Sequence, residues 1–258
     1  MAAQAQELAV RLGLPVEPPE CSSSQGILLP EQSRLQLLVR ADGLALLKPD
    51  DAEMKGAVRA DFTAGRAAFR RKQRKKELLV RAMGGKGGAA LNIIDATGGL
   101  GRDSFLLAAA GHRVHIFERH PVVAALLADG LERATVHPET SGICARIRLT
   151  AGDAVPALEI LRAERAGEGV DAVYLDPMFP ERRKSALVKK ELQILQLLAE
   201  QDADPERLLA AALKAAAQRV VVKRPLKAPH LTDRSPSYSL TGRTVRFDVY
   251  LPVPIHTV

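Results

Sequence analysis

Residues 91–118 read LNIIDATGGLGRDSFLLAAAGHRVHIFE, and the order of patterns within them decides the fold. An apolar run from Leu91 to Ala96 passes into a glycine-rich turn. Helix formers follow from Gly101 to Gly111, and His112 to Glu118 is again strand-like. Strand, glycine turn, helix and strand in that order form the opening unit of a doubly wound parallel sheet. The alternation continues through PVVAALLADGLERA (121–134), RIRLT (146–150), AVPALEILRAE (154–164) and VDAVYL (170–175). Helices are expected over 185–198 and 205–217, then a strand RVVVK at 219–223. Two strands around Thr241-Gly242, over 237–240 and 244–251, should close the sheet as an antiparallel hairpin.

Upstream of residue 90 the pattern is different. Apolar runs over 34–40 and 44–48 flank Ala41-Asp42-Gly43, a hairpin signal, so residues 1–65 are expected to form a small β-rich element. Residues 66–90 should be a basic helix and linker, because RAAFRRKQRKKELLVRAM (66–83) holds strong helix formers and stops at Gly84-Gly85. Residues 91–258 then form the main α/β domain.

Composition narrows the class. At 258 residues, 47% hydrophobic and 26% charged, the chain can bury a sizeable core, and its aliphatic runs are too short to span a bilayer. Residues 1–15 lack a basic start followed by an apolar block, so a cytoplasmic location is expected. Cys21, Cys144 and the six histidines form no ligand spacing, and no metal or obligate protein partner is expected. The net charge of +7 favours a polyanionic partner, because each cation placed near a phosphate releases a condensed counterion.

The glycine turn DATGGLGRD (95–103) falls where open α/β sheets bind ligands, and Gly99 lets backbone approach one closely. A dinucleotide fingerprint would need glycine at Ser104, and its pyrophosphate would meet Asp103 at the helix start, where another anion is repelled. A ligand with positive charge fits better. S-adenosylmethionine carries a sulfonium and an ammonium that Asp95 and Asp103 can attract, and a carboxylate that Arg102 can receive. Glu118, ending the second strand, can accept from ribose hydroxyls, and Gly152-Asp153, ending the third, can meet adenine.

The discriminating segment is LDPMFP (175–180). An exocyclic base amine is a poor nucleophile because its lone pair is delocalised into the ring. Acceptors for its two hydrogens, Asp176 and the Pro177 carbonyl, would orient the nitrogen and relieve the charge that develops on it. Phe179 could stack on the base. Arg182, Arg183, Lys184, Lys189 and Lys190 follow this loop, Lys223, Arg224 and Lys227 follow the fifth strand, and Arg70, Arg71 and Lys75 belong to a third basic cluster whose only nearby acid is Glu77. These three clusters are expected to meet RNA phosphates. Aromatics at 3% exclude a row of stacking platforms, so the target base must be flipped out or unpaired. Adenine N6 methylation uses the same amine chemistry and remains open at this point. A nicotinamide-dependent oxidoreductase would explain the glycine turn but neither Asp103 nor DPMF.

The segments DATGGLGRD (95–103), FERHPVVAALLADGLERA (117–134), YLDPMFPERRKSALVKKE (174–191), RVVVKRP (219–225) and RFDVY (246–250) resemble the bacterial RsmJ family of 16S ribosomal RNA guanine-N2 methyltransferases. The resemblance spans residues 57–251. It implies a Rossmann-like class I S-adenosylmethionine methyltransferase fold, with a seven-stranded, mostly parallel sheet and a C-terminal antiparallel hairpin. It also implies a guanosine substrate in 16S ribosomal RNA of the small subunit, and cofactor contacts at Arg102, Asp103, Glu118, Arg119, Gly152, Asp153 and Asp176. Gly98 stands where the family carries alanine, an exchange expected to be benign. Gly152-Asp153 stands where it carries two small hydroxyl residues.

Overall fold

The computed structural model describes residues 2–16, 24–29, 35–48, 57–84, 88–163, 170–177, 194–195, 197–198 and 204–252. Strand β4 (Asn92–Asp95) pairs in parallel with β5 (Arg113–Glu118) on one side and β7 (Ala172–Leu175) on the other. Beyond β5 lies β6 (Ile147–Ala151), and beyond β7 lies β8 (Arg219–Pro225), both parallel to their neighbours. The central strands are apolar runs because both their faces are covered: every residue of β7 is buried, as are Ile93, Ile94 and Asp95 of β4.

The expected C-terminal hairpin is present, with β10 (Val245–Tyr250) antiparallel to both β8 and the edge strand β9 (Tyr238–Thr241). The sheet order is β6-β5-β4-β7-β8-β10-β9. The fully buried Asp248 of β10 ties this end together, accepting from Arg246, Ser239 and the imidazole of His230.

Helices cover both faces. On one lie α4 (Arg102–Ala109), α5 (Pro121–Thr135) and the short α6 (Ser141–Cys144). Apolar residues of α7 (Ala154–Ala163) and α8 (Pro205–Ala215) pack on the other. Proline opens α5 and α8 at a position where no amide hydrogen is needed, and the Asp204 side chain caps α8 by accepting from the Arg207 amide.

The N-terminal strands β1 (Ser24–Leu28), β2 (Gln36–Arg40) and β3 (Gly43–Leu47) form their own antiparallel sheet, with the expected turn at 41–42. A helix, α1 (Ala2–Leu12), precedes them, within the segment expected to be β-rich. Leu37, Val39 and Leu46 share one apolar core with Leu126 and Leu127 of α5, so this sheet is packed onto the α/β unit.

The single helix expected over 66–83 is instead three pieces: α2 (Gly65–Lys72), a 3-10 turn (Arg74–Lys76) and α3 (Leu78–Met83). Like charges on successive turns of one helix repel. The break relieves this, returns Glu77 to clamp Arg70 with two bonds of 3.0 and 3.1 Å, and buries Leu79, Ala82 and Met83.

Candidate functional site

Strand order reverses at β4: the chain builds outward to β5 and β6, then returns to add β7 and β8 on the other side. The crevice outside the carboxyl ends of β4 and β7 is therefore the expected ligand site of an open sheet. Asp95 ends β4 and Asp176 immediately follows β7. One hydrogen bond joins the two ends, the Asp176 amide donating to Thr97 Oγ1 at 2.6 Å.

The glycine turn is built tightly. Gly99 and Gly101 have φ of +53° and +70°, which only glycine adopts without strain. The Gly98 amide donates to the Phe117 carbonyl, Gly99 to Glu118 Oε2, and Gly101 to the Gly98 carbonyl. A phosphate cradle needs such amides pointing at the ligand, and these three are spent within the protein. A Cβ on Gly98 would lie 2.5 Å from Ile116 Cγ2 and 3.1 Å from the Phe117 carbonyl. Gly98 fits this tight approach to β5, and a Cβ there would require Ile116 to shift.

Asp95 is 1% exposed, and its oxygens accept from the Thr97 amide at 3.0 Å and from Ser104 Oγ at 2.5 Å. Burial pushes its carboxyl up to about 7 against the lowering effect of these bonds. The direct attraction expected between Asp95 and a ligand is corrected accordingly: its oxygens face inward and hold the turn.

Glu118 sits at the end of β5 with Oε2 on the Gly99 amide (2.6 Å) and Oε1 on the His120 amide (2.8 Å). Each carboxylate oxygen has a second lone pair, so the group can still accept from a diol. Arg102 and Arg119 are exposed beside the turn and after β5. Gly152, at φ +146°, donates its amide to the Glu118 carbonyl at 2.8 Å, and the exposed Asp153 accepts from the Val155 amide at the start of α7. Glu118 and Gly152-Asp153 therefore lie side by side.

Asp103 is the centre of a charge network that spacing did not reveal. Its Oδ1 accepts from Arg70 Nη1 at 2.7 Å, and its Oδ2 accepts from both Lys223 Nζ and Tyr174 Oη at 2.8 Å. Lys223 also donates to Asp176 Oδ2 at 2.7 Å. Burial raises the Asp103 pKa, but Lys223 and Arg70 outweigh it and hold this carboxyl well below the usual range. For Asp176 burial wins over Lys223, and its carboxyl is raised. Spacing alone does not mark Thr97 or Ser104 as parts of this network. Tyr174 carried one signal, since residues two apart on a strand share a face and Asp176 is two residues on.

The basic residues divide. Arg70 and Lys223 belong to the site's own ion pairs, and Arg71 pairs with Glu139. Arg224 is 0% exposed, its guanidinium bonded to the Pro229 carbonyl at 2.8–2.9 Å. The expectation that Arg224 meets RNA is corrected: its side chain faces into the protein and holds the segment after β8. Lys75 remains exposed and lines, with Arg74 and Arg146, a cleft of about 330 Å³ at the C-terminal end of α4. Phe179, Arg182, Arg183, Lys184, Lys189 and Lys190 lie outside the described residues.

A family model described as "Putative SAM-dependent methyltransferase" matches residues 21–252. The Ribosomal RNA small subunit methyltransferase J of Pseudomonas paraeruginosa is 44% identical over 250 residues, covering 95% of this chain and 89% of that protein. The protein of the same name from Nitrosococcus oceani is 43% identical, covering 96% and 93%. A crystal structure of a SAM-dependent methyltransferase from Neisseria gonorrhoeae superposes with a TM-score of 0.70 at 38% identity, covering 96% of this chain and 91% of that one.

Proposed function

This chain belongs to the ribosomal RNA small subunit methyltransferase J family of S-adenosylmethionine-dependent methyltransferases, and from that membership we propose that it methylates the exocyclic N2 of a guanosine in 16S ribosomal RNA. The observation that carries the chemistry is the position of Asp176, tied to the glycine turn by Thr97 and to β8 by Lys223. When bound, S-adenosylmethionine supplies a methyl group activated by a sulfonium. The residues present fit it: Glu118 for the ribose, Gly152 and Asp153 for adenine, Arg102 and Arg119 for polar ends, and Gly99 for close backbone approach. The glycine amides are already bonded within the protein, which disfavours a nucleotide phosphate in their place.

Asp176 and the Pro177 carbonyl accept the two hydrogens of the guanine amine. This directs the nitrogen lone pair towards the methyl group and stabilises the positive charge that develops on nitrogen. Phe179 stacks on the base, and solvent takes the proton after transfer. Arg182, Arg183, Lys184 and Lys189, which follow Asp176 in sequence, and the exposed Lys75 are the cations assigned to RNA phosphates. A 16S ribosomal RNA substrate supports a cytoplasmic location. Among the described residues, no helix is long and apolar enough to cross a membrane.

The deciding experiment is mass spectrometry of 16S ribosomal RNA from a strain lacking the gene. One N2-methylguanosine should disappear and return when the gene is restored. Loss of N6-methyladenosine instead would move the reading to adenine.

Glu118→Ala should weaken S-adenosylmethionine binding by about 1 to 3 kcal/mol, the range for a lost charge-assisted hydrogen bond, and leave RNA affinity nearly unchanged. Glu118→Gln should lose less than the Ala variant because its amide oxygen can still accept, and should fall short of full affinity because its amide nitrogen would face the Gly99 or the His120 amide. Calorimetric titration of both variants checks the order, and equal affinity for the Ala variant and the unmodified protein would refute the ribose assignment.

A further inference from the structure

We propose that Lys223 is a positioning residue for methyl transfer: by occupying Oδ2 of Asp176 it leaves Oδ1 as the acceptor presented to the base amine. The inference rests on the role given to Asp176 above and adds to it a second residue, 47 positions further along the chain. The ammonium donates to Asp176 Oδ2 at 2.7 Å, and among the described residues no donor reaches Oδ1. The Asp176 backbone is itself held by Thr97. One oxygen and the backbone are therefore fixed, which limits rotation of the carboxylate and gives the remaining oxygen a defined direction.

Lys223 is anchored from its other side. It donates to Asp103 Oδ2 at 2.8 Å, and Asp103 is secured by Arg70 and by the Tyr174 hydroxyl. Arg70 is gripped in turn by both oxygens of Glu77. This chain of bonds runs from α2 through the first turn of α4 to β8 and ends on the residue after β7. Its consequence is that Asp176 is placed relative to the glycine turn by side chains as well as by the sheet.

The same ammonium governs protonation. A protonated Asp176 can offer a donor where the amine needs an acceptor. Burial favours that neutral form, and so does the neighbouring Asp103 charge; Lys223 and Arg224 oppose them, and Asp176 in turn pushes up the carboxyl of the buried Asp95. Tyr174 faces the same site with its hydroxyl kept protonated by burial and by these carboxylates. Removing the Lys223 charge should raise the Asp176 pKa further, the effect of losing an opposite charge in contact.

The test compares the unmodified enzyme with Lys223→Met and Lys223→Arg, each checked for cooperative urea unfolding. Carbon NMR titration of the Asp176 carboxyl should show its midpoint moving up in the Met variant and changing little in the Arg variant. Single-turnover rates with saturating S-adenosylmethionine and 16S RNA should show the acid limb moving by the same amount, so the Met variant recovers part of its loss at alkaline pH. Calorimetric affinity for S-adenosylmethionine should change less than about threefold, since it is the acceptor that is altered. An unchanged Asp176 titration in the Met variant overturns the proposal, and so does a rate lost equally at every pH. Should the Met variant fail to unfold cooperatively, Lys223→Gln takes its place under the same criteria. If the NMR shift occurs but Asp176→Ala transfers methyl groups at the full rate, the role given to Asp176 fails, and the influence of Lys223 on that carboxyl stands.

Discussion

Asp176→Ala is expected to slow single-turnover methyl transfer by about two orders of magnitude or more, comparable to removing one preorganised transition-state partner. The hydrogen bond from the amine to this carboxylate strengthens as positive charge develops on nitrogen, so its loss falls on the rate more than on binding of either substrate. Asp176→Asn should retain part of the activity, because the amide oxygen still accepts although it offers less electrostatic stabilisation. Lys223 adds a reason for the Asn deficit. Its ammonium now donates to a carboxylate oxygen, and an amide nitrogen turned towards it would present a donor to a donor. Rapid-quench measurement of methyl transfer at saturating RNA and S-adenosylmethionine gives the order unmodified, Asn, Ala. An Ala variant as fast as the unmodified enzyme would sink the mechanism.

Asp103→Ala is expected to destabilise the fold by about 3 kcal/mol, the lower end of the range for breaking a buried ion pair from one side. The side chain is only 12% exposed and faces two cations and a hydroxyl. Arg70 keeps Glu77 and Lys223 keeps Asp176, which is why the lower end applies. Tyr174, buried, loses the acceptor for its hydroxyl. The effect should depend on pH with a definite sign. The Asp103 carboxyl is held below its ordinary value when folded, so its stabilisation is complete above the unfolded pKa of about 3.9 and is lost as pH falls through the folded one. Urea unfolding should therefore show a full difference between the variant and the unmodified protein at pH 7, shrinking at pH values below about 4. A difference that stayed constant on acidification would mean that Asp103 acts by packing and not by charge.

Much of this molecule is legible as sequence because the physics involved is local. Burial of a strand on both faces demands apolar runs, as in Ile93-Ile94 and Val220 to Val222, and burial of one helix face demands apolar residues at helical spacing. The parallel sheet, the antiparallel closing hairpin, the glycine turn and the positions of Glu118 and Asp176 at strand ends all follow from such rules. The break within 66–83 did not, because helix propensity is a sum over single residues, whereas the break depends on Glu77 returning to Arg70 and on where Leu79 and Met83 find their core.

Adjacent residues in β8 mark the boundary between the two kinds of information. Both Lys223 and Arg224 read as cations following a strand, suited to a phosphate. Successive side chains of a strand point to opposite faces, so only one of the two could bond directly to the carboxylates of the site, and Arg224 acts on Asp176 only through its charge. Which one did was decided by register: Phe247 stands opposite Lys223, Arg246 opposite Arg224, and β7 lies on the other side. Lys223 consequently meets Asp103 and Asp176, residues 120 and 47 positions away, while Arg224 turns to the Pro229 carbonyl. The sequence by itself determined that this is an α/β fold with carboxylates at its strand ends, because periodicity and turn chemistry act over a few residues. Only the tertiary structure decided which cations neutralise those carboxylates, because an ion pair requires a few ångströms of separation and is indifferent to distance along the chain.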